Sequence, residues 1–290
     1  MTEFDEIFDE QETTEMSESK EEQPYSKEDW IKHREETRTQ AFDMLEQATV
    51  ELGTAGMLQQ YLDVQSRFDR YSVSNALLIA HQKPDATRIA DARTWQKTGA
   101  YIKKGEKAFS ILEPGKEFIR QDGTKGLNYD AKKVFDITQT TAEQPEHKTR
   151  QPDEKKLIRA LMKTSPVPIC ISNELPQNVN AAYVPQQKNI LVRQGLPGQE
   201  IFKALAQEIC YARLDKGGST RIQNAFAVAC VSYMLCKRNG IEPDKITDQG
   251  AFDAKQPKEI RGMLKAIRDE ANTMSDVIEK ALSNRDRDAR

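Results

Sequence analysis

The sequence predicts an α+β protein built of two units, and three observations carry that prediction. Apolar residues recur at helical spacing through residues 27–63 and again beyond Pro197. Short runs of period-two character, broken by glycines, lie between them. A polar stretch with two prolines and no periodicity, residues 139–156, separates the two halves.

In the first unit, Ala41, Met44, Leu45 and Ala48, then Leu58, Tyr61 and Leu62, form the apolar stripes of two helices, with a turn at residues 53–56. A third helix is expected over residues 74–82 through Ala76, Leu77, Leu78 and Ile79, and Pro84 closes it. Strands follow at residues 87–90, 101–103, 108–112 and 132–138, punctuated by Gly99, Gly105 and Gly115; together these make N-terminal helices with a small antiparallel sheet.

The second unit opens with a helix over residues 154–163 and a strand over 167–171. Tyr183 and residues 189–192 flank the turn-like 185–188, a hairpin. Pro197-Gly198 starts a helix carrying Ile201, Phe202, Leu205 and Ile209, and a further helix over residues 221–237 is expected to turn Ile222, Phe226, Ala229, Tyr233 and Met234 inward. Asn239-Gly240 and Pro243 stop it. The expected organisation is an acidic tail at 1–26, a first domain at 27–140, a linker at 141–153, a second domain at 154–283 and a charged, frayed tail at 284–290.

Composition bounds the function. At 290 residues and 37% hydrophobic content, no stretch approaches the ~18 to 20 apolar residues of a membrane span. The chain opens with acidic residues rather than a basic segment before an apolar core, so a cytoplasmic protein without a membrane partner is expected. Cys170, Cys210, Cys230 and Cys236 show no CxxC pairing and read as reduced, buried thiols. The net charge of −3 conceals an asymmetry, because residues 1–22 hold ten acids and one lysine. Residues 71–133 hold twelve Lys/Arg against seven Asp/Glu, an excess of +5.

The densest part of that basic stretch is Arg93-Thr94-Trp95-Gln96-Lys97 followed by Tyr101, Lys103, Lys104 and Lys107, five cations and two large aromatics against one acid, Glu106. Unpaired bases offer faces that stack on Trp or Tyr, while Lys and Arg follow the phosphates and release counterions. The same pattern also fits Trp95 as the core anchor of a small α+β unit, with solvated lysines at hairpin turns. Composition leaves the two readings even.

In the second unit the order strand, hairpin, helix, helix, with Gln207-Glu208-Ile209-Cys210-Tyr211 on the first helix and Ala225 to Tyr233 on the next, resembles the minimal zincin domain of the ImmA/IrrE type. That resemblance implies a metal centre of two histidines at i and i+4, a glutamate base beside the first, and a third ligand from the following helix. Here Gln207, Tyr211 and Ala227 stand at the ligand positions and only Glu208 remains. The expectation is therefore a degenerate zincin-like domain with no catalytic residues, no metal and no cofactor. His33, His81 and His147 are not spaced for coordination, and Cys210 and Cys230 would leave the site short of donors.

Tyr71-Ser72-Val73-Ser74-Asn75, Pro84-Asp85-Ala86-Thr87-Arg88, Arg93-Thr94-Trp95-Gln96-Lys97, Lys103-Lys104-Gly105-Glu106-Lys107 and Val134-Phe135-Asp136-Ile137-Thr138 follow one another in the order of the N-terminal domain of ArdC-type antirestriction proteins, which residues 27–140 resemble; relatives of the LtrC type look closer still. The resemblance implies a single-stranded DNA-binding accessory protein of a plasmid or conjugative element. It implies DNA contacts through Arg93, Trp95, Lys97, Tyr101, Lys103, Lys104 and Lys107, with Tyr71 and Asn75 as further candidates. The alternative is a pseudoenzyme adaptor that binds a host restriction or conjugation protein through its zincin-like groove.

Overall fold

The computed structural model describes residues 26–54, 56–119, 122–143, 153–215, 217, 220–246 and 250–288. Three helices come first among the described residues: α1 (Lys27–Val50), α2 (Met57–Arg67) and α3 (Val73–Gln82). Ser26 and Ser72 cap α1 and α3 by accepting from the amides of Asp29 and Asn75, which satisfies donors that a helix start leaves free. Next come β1 (Ile89–Ala90), a six-residue helix α4 (Ala92–Lys97), and the long hairpin of β2 (Phe109–Ile119) and β3 (Lys125–Asp136), in the antiparallel order β1-β3-β2.

As an edge strand, β2 would present bare backbone groups, and α3 covers them. Asn75 donates Nδ2 to the Leu112 carbonyl at 2.9 Å and accepts the Leu112 amide at 2.8 Å. Seven residues on along the same helix, Gln82 makes the same pair of bonds to Ser110 at 2.9 Å each. Asp136 is a second anchor. Fully buried at the end of β3, it accepts from the amides of Thr87 at 2.7 Å, Arg88 at 2.9 Å and Thr138 at 2.9 Å. Burial raises its pKa, but the hydroxyl and amide of Thr138 and the amides of Arg88 and Thr87 outweigh that and hold it below the ordinary carboxylate value. A depressed folded pKa contributes stability that is present above the unfolded value, near 3.9, and is lost as pH falls through the folded one. Asp136→Asn is expected to cost about 1 to 3 kcal/mol at neutral pH and to flatten the acid limb of the stability profile below pH ~4, measured by urea midpoint against pH. An unaltered acid limb would contradict the assignment.

The second half comprises α5 (Glu154–Met162), β4 (Ile169–Ser172), β5 (Ala181–Val184), β6 (Asn189–Arg193), α6 (Gly198–Leu214), α7 (Arg221–Arg238) and α8 (Pro257–Asp288). Its sheet has the order β4-β6-β5, with β4 parallel and β5 antiparallel to β6. The two halves share one continuous apolar core, running from Ala41 and Leu45 through Leu77 and Ile79 to Cys230, Leu264 and Met274. Polar contacts seal the junction: the Tyr233 hydroxyl donates to Asp63 at 2.7 Å, Lys237 pairs with Asp63 at 3.1 Å, and Arg268 donates to the Tyr71 carbonyl at 3.1 Å.

Several expectations change. Residues 1–25 of the expected acidic tail and 144–152 of the expected linker lie outside the described residues. The strand expected at 101–103 is a single bridge, Ile102 to Thr140, and β3 begins at Lys125 because it pairs with β2 along its whole length. Ile222 is 87% exposed rather than inward, since Arg221, Ile222 and Gln223 all lie outside the packed layer in the first turn of α7. Cys170 is exposed, because β4 is an edge strand with open positions. Residues expected in the charged tail continue α8 as far as Asp288.

Candidate nucleic-acid interface and second cleft

The cationic cluster of the first half folds as helix, turn, loop. Asp91 caps α4 by accepting the Thr94 amide at 2.8 Å. At its other end Gly99 adopts φ +79°, and the amides of Gly99 and Ala100 return to the carbonyls of Gln96 and Trp95 at 2.9 and 3.0 Å. This is a left-handed helix stop that needs glycine, and it sends the chain outward to Tyr101.

Trp95 is buried, packed with Ala100 and Ile137, and its Nε1 donates to the Phe135 carbonyl at 3.0 Å. The expected stacking role for Trp95 is therefore corrected: an indole held in a core with its N–H satisfied has no face for a base. Tyr101 is 60% exposed, and Arg93, Lys97, Lys103, Lys104 and Lys107 are all exposed. Lys103 also donates Nζ to the Thr138 carbonyl at 2.9 Å. Asn75 is committed in part to the backbone of β2, while Tyr71 is half-buried and lines a cleft with Ile111, Thr94 and Lys132.

In the second half, Gln207, Glu208 and Tyr211 lie on α6 and Ala227 on α7, which packs against it. Glu208 is buried, yet every oxygen is engaged. Oε2 accepts the Tyr183 amide at 2.7 Å and Arg221 Nη1 at 2.8 Å, and Arg221 Nη2 bonds Oε1. The Arg221 guanidinium also lies over the Tyr211 ring at 3.8 Å. Arg221 was invisible to sequence reasoning, since thirteen positions and a loop separate it from Glu208 and no spacing rule links them.

This pair divides the cleft. On one side lies a space of about 560 Å³ lined by Tyr183, Lys188, Tyr211 and Asp215; on the other, one of about 270 Å³ lined by Asn180, Gln207 and Asp244. The donor set does not fit a zinc ion: an amide, a phenol and a methyl group stand at the three positions where the resemblance would put ligands, and a fixed cation already neutralises the carboxylate. Nor do the cysteines fit, because burial pushes the Cys210 thiol up to about 12 and raises Cys230 further, which disfavours the thiolate a metal requires.

Three tightly packed helices over a hairpin sheet, joined through a common core to a three-stranded mixed sheet under two helices, define an α+β protein with a cationic loop on one half and a cleft on the other. Residues 39–167 match the family model of the N-terminal domain of anti-restriction factor ArdC. The match begins later and runs further than the 27–140 expected, taking in α5. Two crystal structures of the antirestriction ArdC protein from the R388 plasmid share the fold. The metal-free one is 19% identical with a TM-score of 0.51, covering 74% of this chain and 86% of that one. The Mn(II)-bound one is 18% identical with a TM-score of 0.53, covering 86% and 98%. An uncharacterized protein of Bacillus anthracis is 27% identical over 163 residues, 56% of this chain; the chain spans about a quarter (26%) of that relative's length.

Proposed function

We propose that this protein binds single-stranded DNA as an accessory factor of a plasmid or conjugative element, with its second half a metallopeptidase-like scaffold that does not cleave peptides. The observation that carries the reading is the run of exposed cations, Arg93 and Lys97 on α4 and Lys103, Lys104 and Lys107 on the segment after it, together with the exposed ring of Tyr101, in a stretch of the ArdC type. The six-residue α4 is under two turns long, too short to lie along a groove as a recognition helix, so backbone contacts dominate over sequence readout. Coating an entering strand would shield it from host nucleases, in keeping with the antirestriction name of the R388 protein.

Changing Lys103, Lys104 and Lys107 together to alanine is expected to weaken binding of a labelled single strand by tenfold or more. The salt slope should fall by about 2, because each phosphate left without its lysine removes ~0.7 from it. Fluorescence anisotropy at several salt concentrations reads both; unchanged affinity with unchanged slope defeats the assignment.

The scaffold reading is supported by Glu208. A general base needs a lone pair aimed at the reacting water, and here both oxygens are held by Arg221 and Tyr183. Metal analysis of the purified protein tests it: a stoichiometric transition metal together with peptide cleavage would overturn it. The 560 Å³ cleft beside the edge strand β5 favours a second reading, capture of a host protein segment. Retention of a partner after nuclease treatment distinguishes that from DNA-mediated association.

A further inference from the structure

We propose that the cleft between Tyr71 and α4 receives one unpaired nucleobase of the bound strand, with Tyr71 as its stacking face; this rests on the single-stranded DNA reading above. The cleft encloses about 370 Å³, within the roughly 300 to 1,000 Å³ of small-molecule sites. Its walls combine an apolar floor of Ile89, Ile111 and Val134 with the half-buried aromatic Tyr71, which is the composition that takes a flat, weakly polar ring.

Tyr71 is held in place. Its ring meets Phe68 edge-on at 5.3 Å and 78°, and its carbonyl accepts from Arg268 at 3.1 Å and Gln65 at 3.3 Å. Among the described residues its hydroxyl makes no hydrogen bond, and the phenol stays protonated because burial raises its pKa. An aromatic wall already held in place by its packing costs little ordering when a ring arrives.

Charge decides which part of a nucleotide enters. Lys132 sits 3.3 Å from Asp91 and 3.0 Å from Glu113, so the cleft holds two carboxylates for one ammonium. A phosphate would be repelled there, whereas exocyclic amines of a base are donors that carboxylates accept. Asn75, bonded on both sides to the Leu112 backbone, keeps one N–H and one lone pair for the same edge. Outside the cleft, Arg93 and Lys97 lie one turn apart on α4, both exposed, and hold the flanking phosphates. The strand therefore lies backbone outward across α4, with one base turned in.

Tyr71→Leu, which keeps apolar volume but removes the stacking face, is expected to weaken binding of an oligodeoxycytidylate, whose bases carry the exocyclic amine, roughly 5- to 100-fold with the salt slope unchanged. Thr94→Leu, at the exposed mouth, should give the same loss by filling the cleft. A 2-aminopurine placed in the strand should change its emission on binding the parent protein and lose that change in both variants. If circular dichroism shows Tyr71→Leu unfolded, Thr94→Leu decides. Parent-like affinity in the folded variants would overturn the base site while leaving single-strand binding intact; failure of the parent protein to bind any single strand would remove both.

Discussion

Trp95→Ala is expected to destabilise the protein by about 3 to 5 kcal/mol, a large share of the ~5 to 15 kcal/mol that holds a typical domain folded. The indole is 2% exposed and joins Ala100 and Ile137 in a small core of its own. Its removal opens a cavity and strips the Phe135 carbonyl of its 3.0 Å donor, two costs that add. Six residues of helix have too few internal hydrogen bonds to hold themselves, so α4 depends on this one side chain. Because Arg93 and Lys97 are carried on α4, single-strand affinity should fall with stability, and Trp95→Phe should recover part of both. Urea unfolding checks the first and anisotropy the second. A parent-like midpoint for Trp95→Ala would return the residue to the surface and restore its stacking role.

Arg221→Met is expected to cost about 2 to 4 kcal/mol. Breaking a buried ion pair by removing one partner typically costs ~3 to 5 kcal/mol, and the lower range applies because the Arg221 side chain is 53% exposed and partly screened. Methionine keeps an apolar stem against Tyr211 but leaves Glu208 with the Tyr183 amide alone. The double variant Glu208→Leu/Arg221→Met should be more stable than Arg221→Met, because no charge is then left unpaired. A thermal or urea midpoint for Arg221→Met within ~0.5 kcal/mol of the parent would show that the pair contributes nothing.

The helices were legible wherever apolar residues repeat every three or four positions. The stripes of α1, α2, α3 and α6 all point into the core as their spacing requires. The same signal runs through Ile260, Leu264, Ile267, Ala271, Met274, Ile278 and Ala281, all buried on α8, and it was there to be read although no helix was assigned to it. Trp95 was ambiguous for a physical reason: six residues contain fewer than two helical turns, so periodicity cannot tell inside from outside. The start of β3 was hidden because Gly126, Asn128 and Asp130 have weak strand preference, and pairing with β2 overrides it.

For the candidate sites the division is sharper. Residue identity alone determined that Gln207, Tyr211 and Ala227 cannot serve as a zinc ligand set, because donor chemistry is a property of the side chain wherever it lies. It also determined that cations cluster between Arg93 and Lys107. Only the tertiary structure decided that Arg221 closes on Glu208, that Trp95 faces a core while Tyr101 faces solvent, and that Tyr71 meets Thr94 and Lys132 across one cleft. Those facts depend on which elements pack together, and such contacts join residues whose separation along the chain carries no trace of their meeting.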